Sequence, residues 1–384
     1  MKKQGELRNQ LKAVRTRLGM SQQDLATAAG VARQTIGGIE AGTYALSLTV
    51  ALCLSKTLGC SVDELFWLES EMPGVEATPI PPSGTTYNTN QDVSAQAIRV
   101  ALAQVQGRWV ASPLVGGQGF RREMLPADGI GTWGQTKQSM TVHPLDTPET
   151  LAQTVFLAGC TPALSLWTRS AERWHPGLRT HWLHANSTIA LEYLAQGLVH
   201  LAGVHVYDPV TGEDNRSFVK AAMHDVPTVL VNLGVWEEGF VTVPGNPKNL
   251  YTGADLARTG IHLINREEGA GSRLLLDWLL RKEGISASSI AGYDAVVTSH
   301  LDIAEAIGAG RADIGVSTAA LAEAYGLSFV PLRSVRYDLA LRKETLASSS
   351  VQQLLGTLQH RWVRSQLATL GGYDTSYTGE ITDV

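Results

Sequence analysis

The sequence predicts a multidomain chain with an all-α head, a small β module and a two-lobed α/β body. Helical periodicity with capping residues dominates residues 1–69, and short β-prone runs separated by Gly and Pro follow over 92–150. Between them, residues 70–91 are rich in Pro, Gly, Ser and Thr, which predicts a linker. From 151 to 384 apolar strands alternate with helical segments, which predicts parallel sheets with helices on both faces.

Composition supports globular domains with an uneven distribution of charge. Hydrophobic residues make up 44% of the 384 residues, which is enough to build several cores. Through Leu68 the chain carries eight Lys and Arg against five Asp and Glu, so this segment is +3 and the remainder is −8 of a net −5. The asymmetry fits a nucleic-acid-facing head on an acidic body.

The cysteines and the first residues predict a compartment. Cys53, Cys60 and Cys160 form no CxxC pair, and their number is odd. No apolar run follows the initial lysines, and no window approaches the roughly 18 apolar residues of a membrane span. We therefore expect a cytoplasmic protein with reduced thiols.

The head is predicted to consist of short helices. The first is expected in "GELRNQLKAVRTRLGM", where Leu7, Leu11, Val14 and Leu18 recur at helical spacing. Ser21 precedes the second helix, with Asp24 three residues later as in a capping box, and Gly30 ends it. The segments "VARQTIGGIEAG", "SLTVALCLSKTLGC" and "SVDELFWL" predict the remaining helical elements.

The tight turn "AAGVA" between the second and third helices predicts a helix-turn-helix motif, whose third helix would enter the major groove of DNA. Arg33 and Gln34 lie on the first turn of that helix, and these side chains pair well with guanine and adenine. The full set of candidate DNA-contacting residues is Ser21, Gln22, Gln23, Arg33, Gln34, Thr35, Gly38 and Thr43.

The pieces "SQQDLA", "GVARQTI", "IEAG" and "SVDELF" resemble the Cro/phage-repressor (XRE) helix-turn-helix family over about sixty residues. The resemblance implies binding of double-stranded operator DNA as a homodimer. Two features depart from the family pattern: Ala32 stands where a Ser N-cap is common, and Gly37 and Gly38 lie within the helix. The alternative is a helical bundle used for protein contacts.

The body offers four hydroxyl-bearing helix starts at "AGCTPAL", "ANSTIAL", "NREEGAGSRLLL" and "VVTSHLDIAEAI". Helix N-termini favour anions, although Ser and Thr are also ordinary caps. Glu267 and Glu268 would weaken an anion site unless they point away. The candidate ligand-binding residues are Cys160, Thr161, Ser187, Thr188, Arg266, Gly271, Ser272, Arg273, Ser299, His300 and Tyr337.

The phrases "AGCTPALSL", "NSTIALEYLAQGLVHLAGVHVYD", "INREEGAGSRLLLDWLL" and "ADIGVSTAALAEAYGLSFVPLRSVRYDL" resemble the periplasmic-binding-protein-like, molybdate-binding-type domain that is found fused to helix-turn-helix heads. This implies one lobe over about 151–243 plus 334–384 and a second over about 244–333. Arg99 to Gly131 also looks like the C-terminal β domain of molybdopterin molybdenumtransferases. Together these resemblances imply a small oxyanion ligand, molybdate or tungstate first.

The sequence assembles no catalytic group and no metal site. His181 and His184 lie three apart in a predicted strand and so face opposite sides, and no base is evident for Cys160, which favours an inert or ligand-contacting thiol. "GAGSR" lacks the Lys-Ser/Thr ending of a P-loop. Trp167 and Trp236 are candidates to line the cleft.

The function predicted from the sequence is a one-component, ligand-responsive transcriptional regulator without an organic cofactor. Two alternatives remain open: a cytosolic anion-binding or storage protein, and an enzyme of molybdenum-cofactor metabolism. An organic ligand is equally compatible with the cleft residues.

Overall fold

A computed structural model describes residues 6–44, 46–69, 73–81, 97–115, 124–134 and 138–384. These residues fall into two units, Met1–Pro73 and Gly74–Val384. Each unit encloses its own apolar core.

The first unit is a bundle of short helices. They are α1 (Leu11–Arg17), α2 (Gln22–Ala29), α3 (Arg33–Glu40), α4 (Leu48–Leu58) and α5 (Val62–Leu65). Ser21, Ser47 and Ser61 accept backbone hydrogen bonds at the starts of α2, α4 and α5, as their positions in the sequence predicted. Gly30 ends α2 at φ 69°, a conformation that glycine adopts without strain.

The apolar faces of these helices meet in a single core. Leu11, Leu25, Ile36 and Leu54 are fully buried there. The core fixes α3 against α2, so the remaining faces of both helices are left for solvent or a partner.

The expected first helix begins later than predicted. The structure has a strand, β1 (Glu6–Asn9), where the helical spacing placed the first turn, and α1 starts at Leu11. This strand pairs antiparallel with β2 (Phe66–Glu69). Leu7 is 42% exposed, so its helical spacing to Leu11 reflects no shared buried face, and pairing with a distant strand outweighs the local pattern.

The second unit begins with the predicted small β module, which is a closed barrel. Its strands are β3 (Val75–Pro79), β4 (Ile98–Val105), β5 (Arg108–Pro113), β6 (Gly129–Trp133) and β7 (Met140–Pro144), in the order β3-β5-β4-β6-β7. β3 lies inside the predicted linker, so that part of the linker prediction was wrong. Residues 70–72 and 82–91 of the predicted linker lie outside the described residues.

The body contains a large mixed sheet. Its strands and those of a small neighbouring pair are β8 (Thr154–Gly159), β9 (Arg179–His184), β10 (Leu201–Val204), β11 (Thr228–Thr242), β12 (Asn265–Arg266), β13 (Val296–Val297), β14 (Ile314–Thr318), β15 (Ser328–Arg342), β16 (Tyr373–Asp374) and β17 (Ile381–Asp383). The large sheet runs β14-β11-β15-β10-β8-β9, with β16 and β17 also on β11. β12 and β13 pair parallel with each other.

The predicted parallel pairing holds for only part of the sheet. β8 pairs parallel with β9 and β10, whereas β11 and β15 pair antiparallel along their length. The reason is topological, because β11 carries the chain out of one lobe and β15 returns it.

Helices cover the body on both sides of this sheet. They are α6 (Pro148–Leu151), α7 (Ala163–Trp174), α8 (Ser187–Ala195), α9 (Arg216–Met223), α10 (Gly253–Leu256), α11 (Gly271–Lys282), α12 (His300–Gly308), α13 (Ala319–Ala324), α14 (Ser349–Gly356) and α15 (Arg361–Ala368). Among the described residues, no helix has the length and apolar character needed to cross a bilayer.

The body divides into two lobes by its cores. Lobe 1 (residues 151–237 and 335–384) packs around Phe156 and Leu157, and lobe 2 (residues 238–334) packs around Leu276 and Ile303. β11 and β15 cross between the lobes. Their pairing register shifts between Asn232 and Gly234 and again between Glu238 and Gly239, on either side of the crossing.

Candidate functional site

A buried polar cluster lies where the two lobes meet. Lobe 1 contributes Cys160, directly after β8, and His205, directly after β10. Lobe 2 contributes His300, the first residue of α12, and Glu238 on the crossing strand β11. All four residues are at most 2% exposed. The carboxyl ends of β8 and β10 therefore face a helix start of the other lobe, which is where ligands bind in α/β sheets.

His205 is the centre of this cluster. Its Nε2 lies 3.1 Å from the Cys160 sulfur, and its Nδ1 lies 3.8 Å from Glu238 Oε2. The backbone N–H of His205 donates to Ser187 Oγ at 3.2 Å. The thiol therefore has a basic partner, and the prediction that no base accompanies Cys160 was wrong.

His300 completes the arrangement from the other lobe. Its Nδ1 lies 3.4 Å from Ser317 Oγ, and its Nε2 has no hydrogen-bond partner among the described residues. One donor atom from each of Cys160, His205 and His300 lies within 4.8 Å of the others. The sequence predicted no metal ligands, whereas the fold brings three potential ligands together.

Aromatic rings enclose the cluster. The Trp236 ring lies 5.2 Å from that of His205 and 6.3 Å from that of His300, and Tyr337 stacks on His205 at 5.7 Å. Of the two tryptophans expected to line the cleft, only Trp236 does so, because Trp167 lies in the lobe 1 core and donates to Thr357.

Two glycines permit this close packing. A Cβ on Gly203 would lie 2.0 Å from the Tyr337 hydroxyl, so only glycine leaves room for that ring. A Cβ on Gly271 would lie 2.0 Å from the backbone oxygen of His205. Gly271 begins α11 in lobe 2, so this contact brings the two lobes within atomic distance of each other.

The two imidazoles of the cluster differ in charge. Burial opposes a proton on His205, but the Cys160 sulfur and the Glu238 carboxylate outweigh burial and raise the pKa of His205 to about 10. Burial, together with the nearby positive charge of Arg266 and His205, lowers the pKa of His300 well below its usual value. At neutral pH the site therefore holds one protonated and one neutral imidazole.

The residues of the glycine-rich loop have other partners than predicted. The Ser272 hydroxyl donates a hydrogen bond to Glu238 and so helps to hold that carboxylate in place. Arg266 is buried and bonded to Glu267 by two hydrogen bonds of 2.9 and 3.0 Å. Arg273 pairs with Asp277 at 3.0 Å, which directs its charge along α11 and away from the cluster.

The other predicted helix starts also have protein partners. Asn186, not Ser187 or Thr188, caps α8, and Thr188 donates to the Gly269 carbonyl across the lobes. Ser299 caps α12. Thr161 Oγ lies 3.1 Å from the Tyr373 hydroxyl. Of the predicted set, Cys160 and His300 belong to the cluster, the Tyr337 ring stacks on His205, and the Ser272 hydroxyl donates to Glu238.

A cavity of about 310 Å³ lies beside the cluster. It shares His300 with the cluster and is lined further by Thr161, Thr318 and Tyr373. Its residues come from both lobes, as those of a ligand cleft would.

His205, Glu238 and Ser317 were missed by sequence reasoning. His205 follows the apolar run "LAGV" directly, and a polar residue at a strand end was the signal that could have found it. Glu238 lies inside β11 directly after Glu237, and nothing local distinguishes the buried carboxylate from its neighbour.

In the first unit the predicted DNA-contacting residues are distributed over α2, α3 and the following turn. Arg33 and Gln34 are exposed on the first turn of α3, and Ser21, Gln23 and Thr43 are also exposed. Thr35 and Gly38 are partly buried, and Thr43 Oγ donates to the Gly38 carbonyl at 3.2 Å. A Cβ on Gly38 would lie 3.1 Å from the Tyr44 Cβ, so this mid-helix glycine makes room for the turn that follows α3.

A buried ion pair supports α2 and α3. Arg15 Nε donates to Glu40 Oε1 at 2.6 Å, and Gln22 Nε2 donates to Glu40 Oε2 at 2.8 Å. Burial opposes the charge of Glu40, but the bonds from Arg15 and Gln22 outweigh burial and lower the pKa of that carboxyl. Gln22 is therefore held in place against Glu40, the last residue of α3.

A buried thiol, two imidazoles and a carboxylate can act in two ways. They can hold a transition-metal cation, because thiolate and imidazole are the ligands that such ions prefer. They can also form a thiolate–imidazolium pair in which Cys160 is the nucleophile. The enclosure of the cluster means that either chemistry requires the lobes to open first.

Comparison with known proteins agrees with this architecture. The family described as "PBP superfamily domain" matches residues 168–359, half of the chain, and the family described as "Helix-turn-helix" matches residues 11–65. The "Uncharacterized HTH-type transcriptional regulator YgzD" of Bacillus subtilis (strain 168) is 42% identical over 65 residues, which are 17% of this chain and 98% of that protein.

A longer relative matches about half of the chain. The "Uncharacterized protein YvgK" of the same organism is 33% identical over 187 residues, which are 48% of this chain and 60% of that protein, less than two thirds of it. Among solved structures, a putative phosphate ABC transporter substrate-binding protein with bound phosphate from Clostridium perfringens aligns with 57% of this chain and 98% of its own at 14% identity and a TM-score of 0.45. The chain belongs to the PBP superfamily and carries an XRE-type helix-turn-helix domain ahead of its PBP-like domain.

Proposed function

We propose that the protein is a cytoplasmic, ligand-responsive transcriptional regulator. Its helix-turn-helix domain would bind operator DNA, and its body would enclose a small ligand between the lobes. The observation that carries this proposal is a set of buried polar atoms at the lobe junction, Trp236 Nε1, Arg266 Nη1 and His300 Nε2, which have no hydrogen-bond partner among the described residues. Such atoms are rare in proteins unless a ligand, ion or water binds them.

The DNA-binding half of the proposal rests on α3. Arg33 and Gln34 are exposed on its first turn, where recognition helices contact base edges. Gln22, Gln23, Thr35 and Thr43 are the further proposed contacts. A homodimer on a palindromic operator follows from the pairing of helix-turn-helix domains with symmetric half-sites.

The regulatory half rests on the position of the cluster between lobes. A ligand that touches Cys160 and His205 from one side and His300 from the other binds the closed arrangement better than an open one. The ligand can then shift the equilibrium between DNA-binding states by no more than the difference between its binding free energies for the closed and the open arrangement.

The class of ligand that the sequence implies is a small oxyanion, molybdate or tungstate first. The protonated His205 and the N-terminus of α11, which lacks a side-chain cap, would favour an anion. The buried carboxylate of Glu238 and the pairing of Arg266 with Glu267 act against one. The charges around the cluster therefore favour a cation over a dianion.

The test measures DNA binding and ligand response together. Genomic fragments retained by the full-length protein at physiological salt define the operator. Its affinity is then measured by fluorescence anisotropy with molybdate, tungstate, sulfate, phosphate, small carboxylates or Zn²⁺ added. We expect a retained palindromic fragment whose affinity changes with one of these compounds, and the absence of any retained fragment in every condition would refute the proposal.

One observation favours an enzyme as the second candidate. Cys160, His205 and Glu238 stand in the order thiol, imidazole and carboxylate that activates nucleophilic cysteines. This candidate predicts that the rate of Cys160 alkylation by iodoacetamide, which is limited by opening of the lobes, holds as the pH falls towards 6, because an activated thiol stays ionised there; Cys160→Ser is the control. A rate that falls with pH in parallel with the rates of Cys53 and Cys60 would remove this candidate.

A further inference from the structure

We propose that Cys160, His205 and His300 form a binding site for a transition-metal cation of the Zn²⁺ type, which would join the two lobes. The inference names the ligand of the site proposed above, and only its regulatory consequence rests on that proposed function. The proposed binding of a metal ion rests on the geometry of the three side chains alone.

The donor set and its spacing fit such an ion. The Cys160 sulfur lies 3.1 Å from His205 Nε2, and donor atoms of all three residues lie within 4.8 Å of one another. In a tetrahedral zinc site, bonds of about 2.3 Å to sulfur and about 2.0 Å to nitrogen place the donors roughly 3.3–3.6 Å apart. The observed spacing brackets this range, so small side-chain rotations suffice to close the site on an ion.

The nitrogen atoms of both imidazoles are placed so that Nε2 can bind the ion. His300 Nε2 is buried and has no hydrogen-bond partner among the described residues, whereas its Nδ1 lies 3.4 Å from Ser317 Oγ. His205 Nε2 lies 3.1 Å from the thiol, and its Nδ1, which is 3.8 Å from Glu238, has no hydrogen-bond partner among the described residues. Each imidazole therefore offers Nε2 to the centre.

The outer contacts of both imidazoles are those of a metal site. Metal-bound histidines usually donate their second ring N–H to a carboxylate, a carbonyl or a hydroxyl, which fixes the ring and its tautomer. Ser317 Oγ lies 3.4 Å from His300 Nδ1 in this role, and the Glu238 carboxylate lies 3.8 Å from His205 Nδ1, which is an ion-pair distance and too long for a hydrogen bond. Ser272 in turn donates to Glu238.

Charge balance favours a cation at this point. The cluster holds the Glu238 carboxylate and an ionisable thiol, both almost fully buried, and Arg266 is already paired with Glu267. A divalent cation that displaces the proton of His205 would neutralise a thiolate and the carboxylate together. A dianion would instead add like charge to a buried carboxylate, which is costly in a low-dielectric site.

The nucleophilic-cysteine alternative explains fewer of these contacts. It uses Cys160, His205 and Glu238 but assigns no task to His300, which reaches the thiol from the opposite lobe. With three protein ligands, a metal site keeps a fourth position open for water or a small ligand. The cavity that shares His300 provides space for one.

The experiment is a Co²⁺ titration of the full-length protein after metal has been removed by chelation. Cobalt reports a thiolate ligand through a charge-transfer absorption in the near ultraviolet, and Zn²⁺ should displace it. We expect one equivalent to bind with this absorption, whereas no absorption in the unaltered chain would overturn the proposal.

Variants identify the ligands. Cys160→Ser should abolish the charge-transfer absorption, and the double variant Cys53→Ser/Cys60→Ser should retain it, because both cysteines lie in the helix-turn-helix unit. His300→Ala should weaken Co²⁺ binding by more than about tenfold, since even outer contacts are worth about 10–100-fold. Absorption that persists in Cys160→Ser, or that is lost in the double variant, would contradict the assignment.

The design separates this inference from the proposed function. Cobalt binding is measured without DNA, so a charge-transfer absorption with no effect on operator affinity leaves the metal site standing and refutes metal sensing. An operator response to molybdate without any cobalt absorption does the reverse, because it supports the regulator and overturns the metal site.

Discussion

Replacement of Gly271 by alanine should hold the lobes apart without unfolding them. Gly271 is the first residue of α11, and its backbone does not require glycine, since its φ is not in the left-handed range. Glycine allows the start of α11 to approach His205 closely, because an added Cβ would lie 2.0 Å from the His205 backbone oxygen and 2.7 Å from its ring. Contacts below 3.0 Å are essentially absent for real Cβ atoms, so the two lobes must separate by about 1 Å.

The size of the effect follows from the cost of that overlap. Overpacking by one methyl group in a tight contact costs about 1–3 kcal/mol. Because about 1.4 kcal/mol corresponds to a tenfold change in an equilibrium, the closed form should become about 5- to 150-fold less populated. The open form carries no such cost, and alanine is slightly favoured over glycine in a helix. The free energy of unfolding should therefore change by less than the free energy of lobe closure.

The assay combines small-angle X-ray scattering, urea unfolding and the Co²⁺ titration on the full-length protein. Gly271→Ala should show a larger radius of gyration, a nearly unchanged urea midpoint and weaker Co²⁺ binding. Gly356→Ala is the matched control, because it also lies in a helix and an added Cβ there meets nothing within 4 Å. If Gly271→Ala and Gly356→Ala give the same radius and affinity, closure does not depend on this contact and the reasoning fails.

Three further predictions concern other parts of the chain. Arg33→Ala should weaken operator binding by about 1–3 kcal/mol at cognate sites only, as measured by fluorescence anisotropy. As a control, replacement of the exposed Lys56 on α4 by alanine should leave the discrimination between sites unchanged. Equal losses of affinity on all DNA sequences would remove Arg33 from base recognition. Glu40→Gln removes the charged acceptor of Arg15, so the urea midpoint for loss of helical circular dichroism should fall by an amount equivalent to about 1.5–3 kcal/mol. An unchanged midpoint would contradict this. The carboxyl of Asp255 accepts the backbone N–H of Tyr251, which helps to lower its pKa from 3.8 to about 2. Because the folded-state pKa is the lower one, Asp255→Asn should cost about 1–2 kcal/mol at pH 7, with the difference shrinking as the pH falls from about 4 towards 2; a difference that is independent of pH in urea titrations would refute this.

The helical unit was largely predictable because its signals are local. Ser21 with Asp24 and Ser61 with Glu64 form capping boxes within four residues of sequence. Gly30 ends α2 in the left-handed conformation that is usual for a glycine after a helix. The exception, β1, depends on a partner strand about sixty residues away. Local periodicity contains no information about such a partner.

The candidate site was predictable only where a residue directly followed a strand or began a helix. Cys160 and His300 have such positions and were found, whereas Glu238 lies inside a fifteen-residue strand beside a second glutamate, Glu237. Its burial follows from the crossing of β11 between the lobes, and this crossing depends on the return of β15. A buried carboxylate in that strand has a physical meaning only once both strands are placed.

The glycine-rich loop before α11 takes on a different task from the one its composition implies. The Gly269 carbonyl accepts bonds from Thr188, and the Glu267 carboxylate accepts one from Asn186, so the loop contacts the start of α8 in lobe 1 through its own acceptors. Gly271 then packs against His205. Anion cradles present N–H donors, whereas this loop directs oxygen atoms and a bare Cα at the opposite lobe. The loop is therefore better understood as the contact that closes the lobes over the Cys160 cluster, and this is why a single methyl group at Gly271 should affect ligand binding more than stability.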